Sequence, residues 1–120
     1  MEINLRKIGE FCIIDLPAEI FLKSNIEFLK KAIEEILEEG FVNILLNMSK
    51  LSKIDGTGLG ALLNIQKSVL LNNANMRLYD LQPYVANMLF QTRMNRIFDI
   101  VDANNEIIEE CAALDHSLIA

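Results

Sequence analysis

The sequence is poor in the residues on which catalytic and metal sites most often depend. Its 120 residues include one histidine and two cysteines. His116 lies in the C-terminal tail without an evident nucleophile or carboxylate partner. Cys12 and Cys111 stand in apolar contexts and lack the C-x-x-C or Cys/His spacing of metal sites. We therefore expect two buried cysteines, no catalytic residues, no metal and no enzyme activity.

Clusters of positive charge and long apolar runs are also missing. Lysine and arginine number 11 against 17 aspartates and glutamates, a formal net charge of −6. The largest basic clusters are the pairs Arg6-Lys7 and Lys30-Lys31, so nucleic acid is not an expected partner. The start of the chain has no signal-peptide region, and no apolar run is long enough for a membrane span. We expect a cytoplasmic protein without a membrane partner.

Apolar residues, by contrast, are abundant enough for a core. The chain is 52% hydrophobic and 23% charged, which is the composition of a globular protein. A chain of this length suits one domain with its own core. We therefore predict that residues 1–120 form a single domain.

The first half of the chain shows strand and helix patterns in alternation. The segments INLRKI and FCIIDL are β-rich runs separated by a turn at Gly9-Glu10. Next comes a helix that Ser24 or Asn25 can cap and that Gly40 ends. The segment VNILLNM is almost wholly apolar, which is typical of a strand buried on both faces in a sheet with parallel pairing.

The second half continues the alternation. A helix over 57–71, a strand MRLYDL, a helix over 83–91, a strand IFDIV and a helix from about Asn104 to Leu114 follow in order. The whole pattern predicts an α/β fold. Its small mixed sheet has an antiparallel N-terminal pair and a parallel remainder, and about four helices cover it.

The segment KIDGTGLGALL, from Lys53 to Leu63, places three glycines ahead of a predicted helix. Residues 56–61 satisfy the dinucleotide pattern G-x-G-x-x-A, and Asp80 lies where a ribose-binding acid would be expected. However, SKLSKID separates the strand from the first glycine, and a second nucleotide-binding half is missing. The G-K-[ST] of a Walker loop is absent too. We therefore expect no cofactor.

The longer segment NMSKLSKIDGTGLGALL resembles the signature of the STAS domain, typified by bacterial anti-sigma factor antagonists. That signature is an apolar strand followed by D-[LV]-[ST]-x-[LV]-x-x-[IM]-D-S-[ST]-G-[LA]-G at the start of a helix. The segment LFQTRMNRIFDIVDANNEII is similar to the closing part of the family pattern. The resemblance covers about Phe11 to about Glu110, and it implies a STAS-like fold.

The resemblance also implies a site. Gly56 replaces the first of two hydroxyl residues in the signature, and Thr57, at the second, is implied to be the residue that a partner kinase phosphorylates. Asp55 is implied to orient this hydroxyl and shape a docking surface, although an ordinary capping role explains it equally well. The implied partner-binding residues are Asp55, Gly56, Thr57, Gly58 and Leu59, with Glu19 and Phe21 at the margin, where Phe21 replaces a family aspartate.

Two expectations about stability follow from this placement at a helix start. The hydroxyl of Thr57 can cap free backbone N–H groups, so its loss would cost about 1 to 2 kcal/mol if it did so. Asp55, as an exposed loop residue, is expected to tolerate charge reversal with little change in melting temperature.

Two functions remain open from the sequence. The first is an anti-sigma factor antagonist that binds an anti-sigma factor with serine/threonine kinase activity and is released by phosphorylation on Thr57. A phosphatase and a second copy of the chain are further candidate partners. The second is a STAS module that is not phosphorylated and that acts as a structural or nucleotide-sensing interaction domain, as in a stressosome-like assembly.

Overall fold

A computed structural model describes residues 3–18 and 25–101 of the chain. Within these ranges five strands form one sheet, accompanied by three α-helices and one short 3₁₀ turn, Met94–Arg96. The elements are β1 (Asn4–Ile8), β2 (Phe11–Asp15), α1 (Ile26–Glu38), β3 (Asn43–Asn47), α2 (Gly56–Leu71), β4 (Asn75–Tyr79), α3 (Pro83–Gln91) and β5 (Asp99–Val101).

The sheet is mixed, as the sequence predicts. Its strands lie side by side in chain order, from β1 to β5. The pair β1 and β2 is antiparallel, with Ile8 opposite Phe11 across the turn in which Gly9 takes a φ of +58°. All other neighbours are parallel. The last strand is shorter than the segment IFDIV, because the turn over Met94–Arg96 delays its start.

Three of the about four predicted helices fall within the described ranges. Helix α1 follows Asn25, buries Ile26, Leu29, Ile33 and Ile36, and is followed by Gly40 with a φ of +91°. The predicted helix from about Asn104 to Leu114 lies outside the described residues. The longest described helix, α2, has 16 residues. In these ranges no helix combines the length and apolarity that a membrane crossing needs.

The two faces of the sheet carry separate apolar clusters. Alternate strand residues, such as Ile14, Leu46 and Leu78, pack with the buried residues of the helices. The opposite face, called here the second face, has its own cluster, formed by Ile8, Phe11, Ile13, Leu45, Tyr79 and Val101. Cys12 is buried as expected, and burial raises the pKa of its thiol to about 11. Cys111 lies outside the described residues.

The parallel strands give the sheet two different edges. Strands β2 to β4 end at one edge, called here the carboxyl edge, which includes the loops 16–18, 48–55 and 80–82. Strands β3 to β5 begin at the other, called here the amino edge, which includes the connections 39–42, 72–74 and 92–98. Helix α2 starts at the carboxyl edge and ends at the amino edge. The glycine segment therefore lies at the carboxyl edge.

Candidate functional site

The loop over 48–55 holds the glycine segment in place. Leu51 and Ile54 are buried in the main core, and the amide of Leu51 donates to the carbonyl of Met48 at 3.0 Å. Lys50, Ser52 and Lys53, which alternate with them, are exposed. The residues that separate β3 from Gly56 thus form a loop that is anchored by two buried side chains and has exposed polar side chains.

Asp55 is the N-cap of α2. Its backbone is extended, and its Oδ1 accepts a hydrogen bond from the amide of Gly58 at 2.8 Å. This is the usual way in which an aspartate satisfies a free N–H group at a helix start. The cap is thus supplied by Asp55, and the condition under which loss of the Thr57 hydroxyl would cost about 1 to 2 kcal/mol is not met, since Thr57 is the second residue of the helix. The expectation that Asp55 contributes little to stability is revised for the same reason.

Thr57 lies in the first turn of α2 and is exposed to solvent. Gly56 beside it is also exposed, and a Cβ atom built at Gly56 or Gly60 would meet nothing within 4 Å. The fold itself thus has room for side chains at both positions, while glycine at position 60, inside the helix, lowers helix stability by about 0.5 to 1 kcal/mol. The helix start presents a threonine with open space around it.

The remaining predicted partner-binding residues are placed differently. Gly58 is buried at the cap, and Leu59 is 3% exposed within the main core. The side chain of Leu59 therefore anchors the helix and offers no surface to a partner. Glu19 and Phe21 lie outside the described residues. The structure brings together Asp55, Gly56 and Thr57 as the accessible part of the predicted set.

The loop before α3 joins the same surface. Gln82 donates from Nε2 to the carbonyl of Ser49 at 2.6 Å, which ties the loop 80–82 to the loop 48–55. Pro83 starts α3, and the ring of Tyr84 in its first turn is largely exposed. The sequence pattern did not single out Gln82 or Tyr84. The sequence signal for Gln82 is weak, because a polar residue just before a helix is common.

A polar network below this surface was also missed. The carboxylate of Asp15, at the end of β2, accepts hydrogen bonds from Arg6 Nε (2.8 Å), Arg6 Nη2 (2.7 Å), Asn4 Nδ2 (2.8 Å) and Asn47 Nδ2 (2.8 Å). Asn47 in turn accepts from the amide of Ser49 at 3.1 Å. The network therefore connects three strands to the loop that leads to Asp55.

The charge of Asp15 is matched within the network. Partial burial lowers the pKa of Arg6, but the hydrogen bond and negative charge of Asp15 outweigh this effect and leave that pKa raised. A cleft of about 260 Å³ lies beside the network, between Pro17 and Lys50. The available signal was a polar residue at the end of each of two strands with apolar centres, FCIID and NILLN.

Replacement of Asp55 should separate its capping role from its charge. Asn is an equally good N-cap, so Asp55→Asn should leave the free energy of unfolding within about 0.5 kcal/mol of wild type. Asp55→Ala removes the bond to Gly58 and should lower it by about 1 kcal/mol. Urea unfolding measures both values. A loss as large for asparagine as for alanine would contradict the cap assignment.

Comparison with known proteins finds relatives named as anti-sigma factor antagonists. The chain is 33% identical over 105 residues to a protein of Thermotoga neapolitana named "Putative anti-sigma factor antagonist TM1081 homolog", covering 87% of this chain and 93% of that protein. A crystal structure from Thermotoga maritima, described in the same functional terms, is 26% identical, with a TM-score of 0.74 and coverage of 91% and 93%.

A third relative shares the fold. The phosphorylated form of the Bacillus cell fate determinant SpoIIAA superposes with a TM-score of 0.66 at 18% identity, covering 91% of this chain and 97% of that chain. The model of the STAS domain matches residues 2–107. The chain therefore belongs to the STAS domain family.

Proposed function

We propose that this protein is an anti-sigma factor antagonist, and that its carboxyl edge binds an anti-sigma factor with serine/threonine kinase activity. Unphosphorylated chain binds this partner, and phosphorylation of Thr57 releases it, so that availability of a sigma factor follows the state of Thr57. The observation that carries the proposal is that Thr57 is exposed in the first turn of α2, while Asp55 does the capping. The hydroxyl is thus not required by the fold.

The helix start can hold a phosphate without refolding. A phosphothreonine brings about 1.5 to 2 negative charges and three acceptor oxygens. At the second helical position these oxygens lie beside the positive end of the helix dipole, which favours anions. Leu59 and Leu62, both in the core, keep the helix fixed from below. Phosphorylation should therefore alter the surface and leave the fold in place.

The glycines at positions 56 and 60 support a docking role. Local packing does not demand them, since a Cβ at either position meets no atom within 4 Å. Without side chains they allow the backbone of a partner to approach Thr57 closely. The naming of relatives as anti-sigma factor antagonists and the phosphorylated form of SpoIIAA point the same way.

The test is a phosphorylation assay on the full-length protein. The purified chain is incubated with Mg²⁺, ATP and each anti-sigma factor of the serine/threonine kinase type from its source genome, and the product is analysed by intact mass and peptide mapping. One phosphate on Thr57 is expected. Thr57→Val, which keeps the side-chain shape, should abolish it, whereas Ser52→Ala, which removes another exposed hydroxyl of the same surface, should not.

Two other results of this assay would contradict the proposal. If such a kinase binds but phosphate is found at Ser52, the assignment of Thr57 is wrong. If none of these kinases adds phosphate to the chain, the switch is contradicted, and the structural or nucleotide-sensing STAS module becomes the better description.

A further inference from the structure

The second face of the sheet is buried, although the described helices pack on the other face. The six apolar residues of its cluster all belong to strands. The helix residues of the main cluster, such as Leu29, Leu62 and Leu89, lie on the opposite face. Yet Ile13 and Leu45, on the second face, are only 1% and 0% exposed. A sheet face that is open to water leaves its central side chains partly exposed.

The described connections do not supply a cover for these two residues. Ile13 and Leu45 are the middle residues of β2 and β3, and they lie side by side. Each is two residues, or about 7 Å, from the ends of its strand. The two longest connections that are fully described pack on the main core through Leu51 and Phe98. The cover over the middle of the second face therefore comes from another part of the chain.

The charged side chains of this face do not supply the cover either. An arginine lies beside each member of the apolar pair, Arg6 on β1 and Arg77 on β4. Arg6 binds Asp15 at 2.7 Å, toward the carboxyl edge, and Arg77 contacts Asp99 on β5 at 3.0 Å. These ion pairs draw both guanidinium groups away from the apolar pair, which remains to be covered by something else.

Three stretches of the chain lie outside the described ranges, and they differ in length and position. Residues 1–2 are too few to cover a sheet. Residues 19–24 connect the carboxyl edge to α1, which packs on the main core. Residues 102–120 follow directly on Val101, which is itself a member of the second-face cluster. This last segment has 19 residues, so it alone combines a suitable starting point with sufficient length.

The sequence of the segment 102–120 has the pattern of a helix with one apolar face. Ile107, Cys111 and Leu114 recur at the spacing i, i+4 and i+7, and Ile108 flanks them. Three glutamates fall on the other side of such a helix: Glu106, Glu109 and Glu110. The 11 residues predicted as a helix would be about 16 Å long, and the three central strands span about 10 Å. One such helix is therefore large enough to cover the pair.

We propose that the segment 102–120 folds back over the second face of its own sheet, with the apolar side of a helix over 104–114 packed on Ile13 and Leu45. Both faces of the sheet are then covered, which is the usual condition of parallel strands with continuous apolar runs. The burial of the second face is that of a single chain, so the cover belongs to this chain and not to a second copy. Covalent attachment to β5 also gives the segment a high effective concentration at this face.

Methyl NMR of the full-length protein tests this placement directly. In protein with labelled Ile, Leu and Val methyl groups, we expect nuclear Overhauser contacts from Ile13 or Leu45 to at least two of the methyl-bearing residues of the apolar side, Ile107, Ile108 and Leu114. A sample that mixes labelled and unlabelled chains separates contacts within one chain from contacts between two copies. We expect all of these contacts to be intramolecular.

Alkylation of Cys111 gives a second measurement on the same protein. A thiol packed on the sheet should react with iodoacetamide about 100-fold more slowly than in urea-unfolded chain, and peptide mapping distinguishes it from Cys12. Ile107→Lys should raise the rate at Cys111 by about tenfold or more, because it places a charge on the packed side. Glu109→Lys is the matched control on the other side and should leave the rate unchanged.

Three outcomes would overturn the inference. The first is a lack of contacts between the segment 102–120 and the pair Ile13 and Leu45. The second is that such contacts arise only between different copies. The third is a Cys111 thiol that reacts as fast in the folded wild-type protein as in the unfolded chain. None of these results affects the phosphorylation assay on Thr57, so this proposal and the proposed function fail independently.

Discussion

Phosphorylation of Thr57 should weaken binding of the chain to its anti-sigma kinase by tenfold or more, a change of at least about 1.4 kcal/mol. The expected cause is the phosphate in the contact itself. A partner that covers the start of α2 must either strip water from nearly two negative charges or withdraw from the surface. Asp55, two residues earlier, adds a further negative charge at the same place. The prediction rests on the proposed function.

Two substitutions at this position should give, together with the phosphoprotein, a graded series of affinities. Thr57→Ala should bind as tightly as wild type and lose less than about 0.5 kcal/mol of stability, because Asp55 and not Thr57 caps the helix. Thr57→Glu should bind with intermediate affinity, since a carboxylate supplies one charge and two oxygens where phosphate supplies nearly two charges and three oxygens.

Titration calorimetry at fixed salt measures the affinities of wild type, both variants and the phosphoprotein. Equal affinity of the phosphorylated and unmodified proteins would refute the switch. A loss of about 1 to 2 kcal/mol of stability in Thr57→Ala would refute the capping scheme instead.

The sequence predicted helices and strands well where the evidence for them lies in neighbouring residues of the chain. The apolar run NILL indicated a doubly buried strand, and the structure buries Ile44, Leu45 and Leu46 completely. Gly40 was expected to end a helix and has the positive φ that this position favours. Such features depend on neighbours in the chain, so one sequence is enough to predict them.

Features that depend on the path of the backbone were harder to predict. Asp55 and Thr57 are both good capping residues, and only the point at which α2 begins decides between them. Leu59 was expected at a partner surface because it lies within the signature. Leu59 is buried because it lies with Leu62 and Ile65 on the face of α2 that packs into the main core, and the signature alone does not show which face this is.

The network around Asp15 shows the limit most clearly. Its members come from positions 4, 6, 15 and 47, and only the register joins them. In the sheet, Asn4 lies opposite Asp15, and Asp15 lies beside Asn47. A shift of one residue in either pairing would send one partner to the other face of the sheet. The residue types were visible in the sequence, but their juxtaposition was not.

Asp15→Ala should be among the most destabilising substitutions outside the apolar core, lowering the free energy of unfolding by about 2 to 4 kcal/mol. It removes the acceptor of four hydrogen bonds, two of them from the guanidinium of Arg6. The Arg6 and Asp15 side chains are only 21% and 15% exposed, so water cannot fully replace the lost partner. Urea unfolding with a linear extrapolation measures the loss.

A second ion pair on the same face of the sheet provides the control. Arg77 and Asp99 meet at 3.0 Å, but Asp99 is 58% exposed and belongs to the edge strand β5. Asp99→Ala should therefore cost less than about 1 kcal/mol. The double variant Arg6→Met/Asp15→Leu should be more stable than Asp15→Ala, because it leaves no partly buried charge unmatched. If Asp15→Ala costs no more than Asp99→Ala, the network does not hold the three strands together, and the position of the loop 48–55 must rest on the buried side chains of Leu51 and Ile54 and on the hydrogen bond from Gln82 to Ser49.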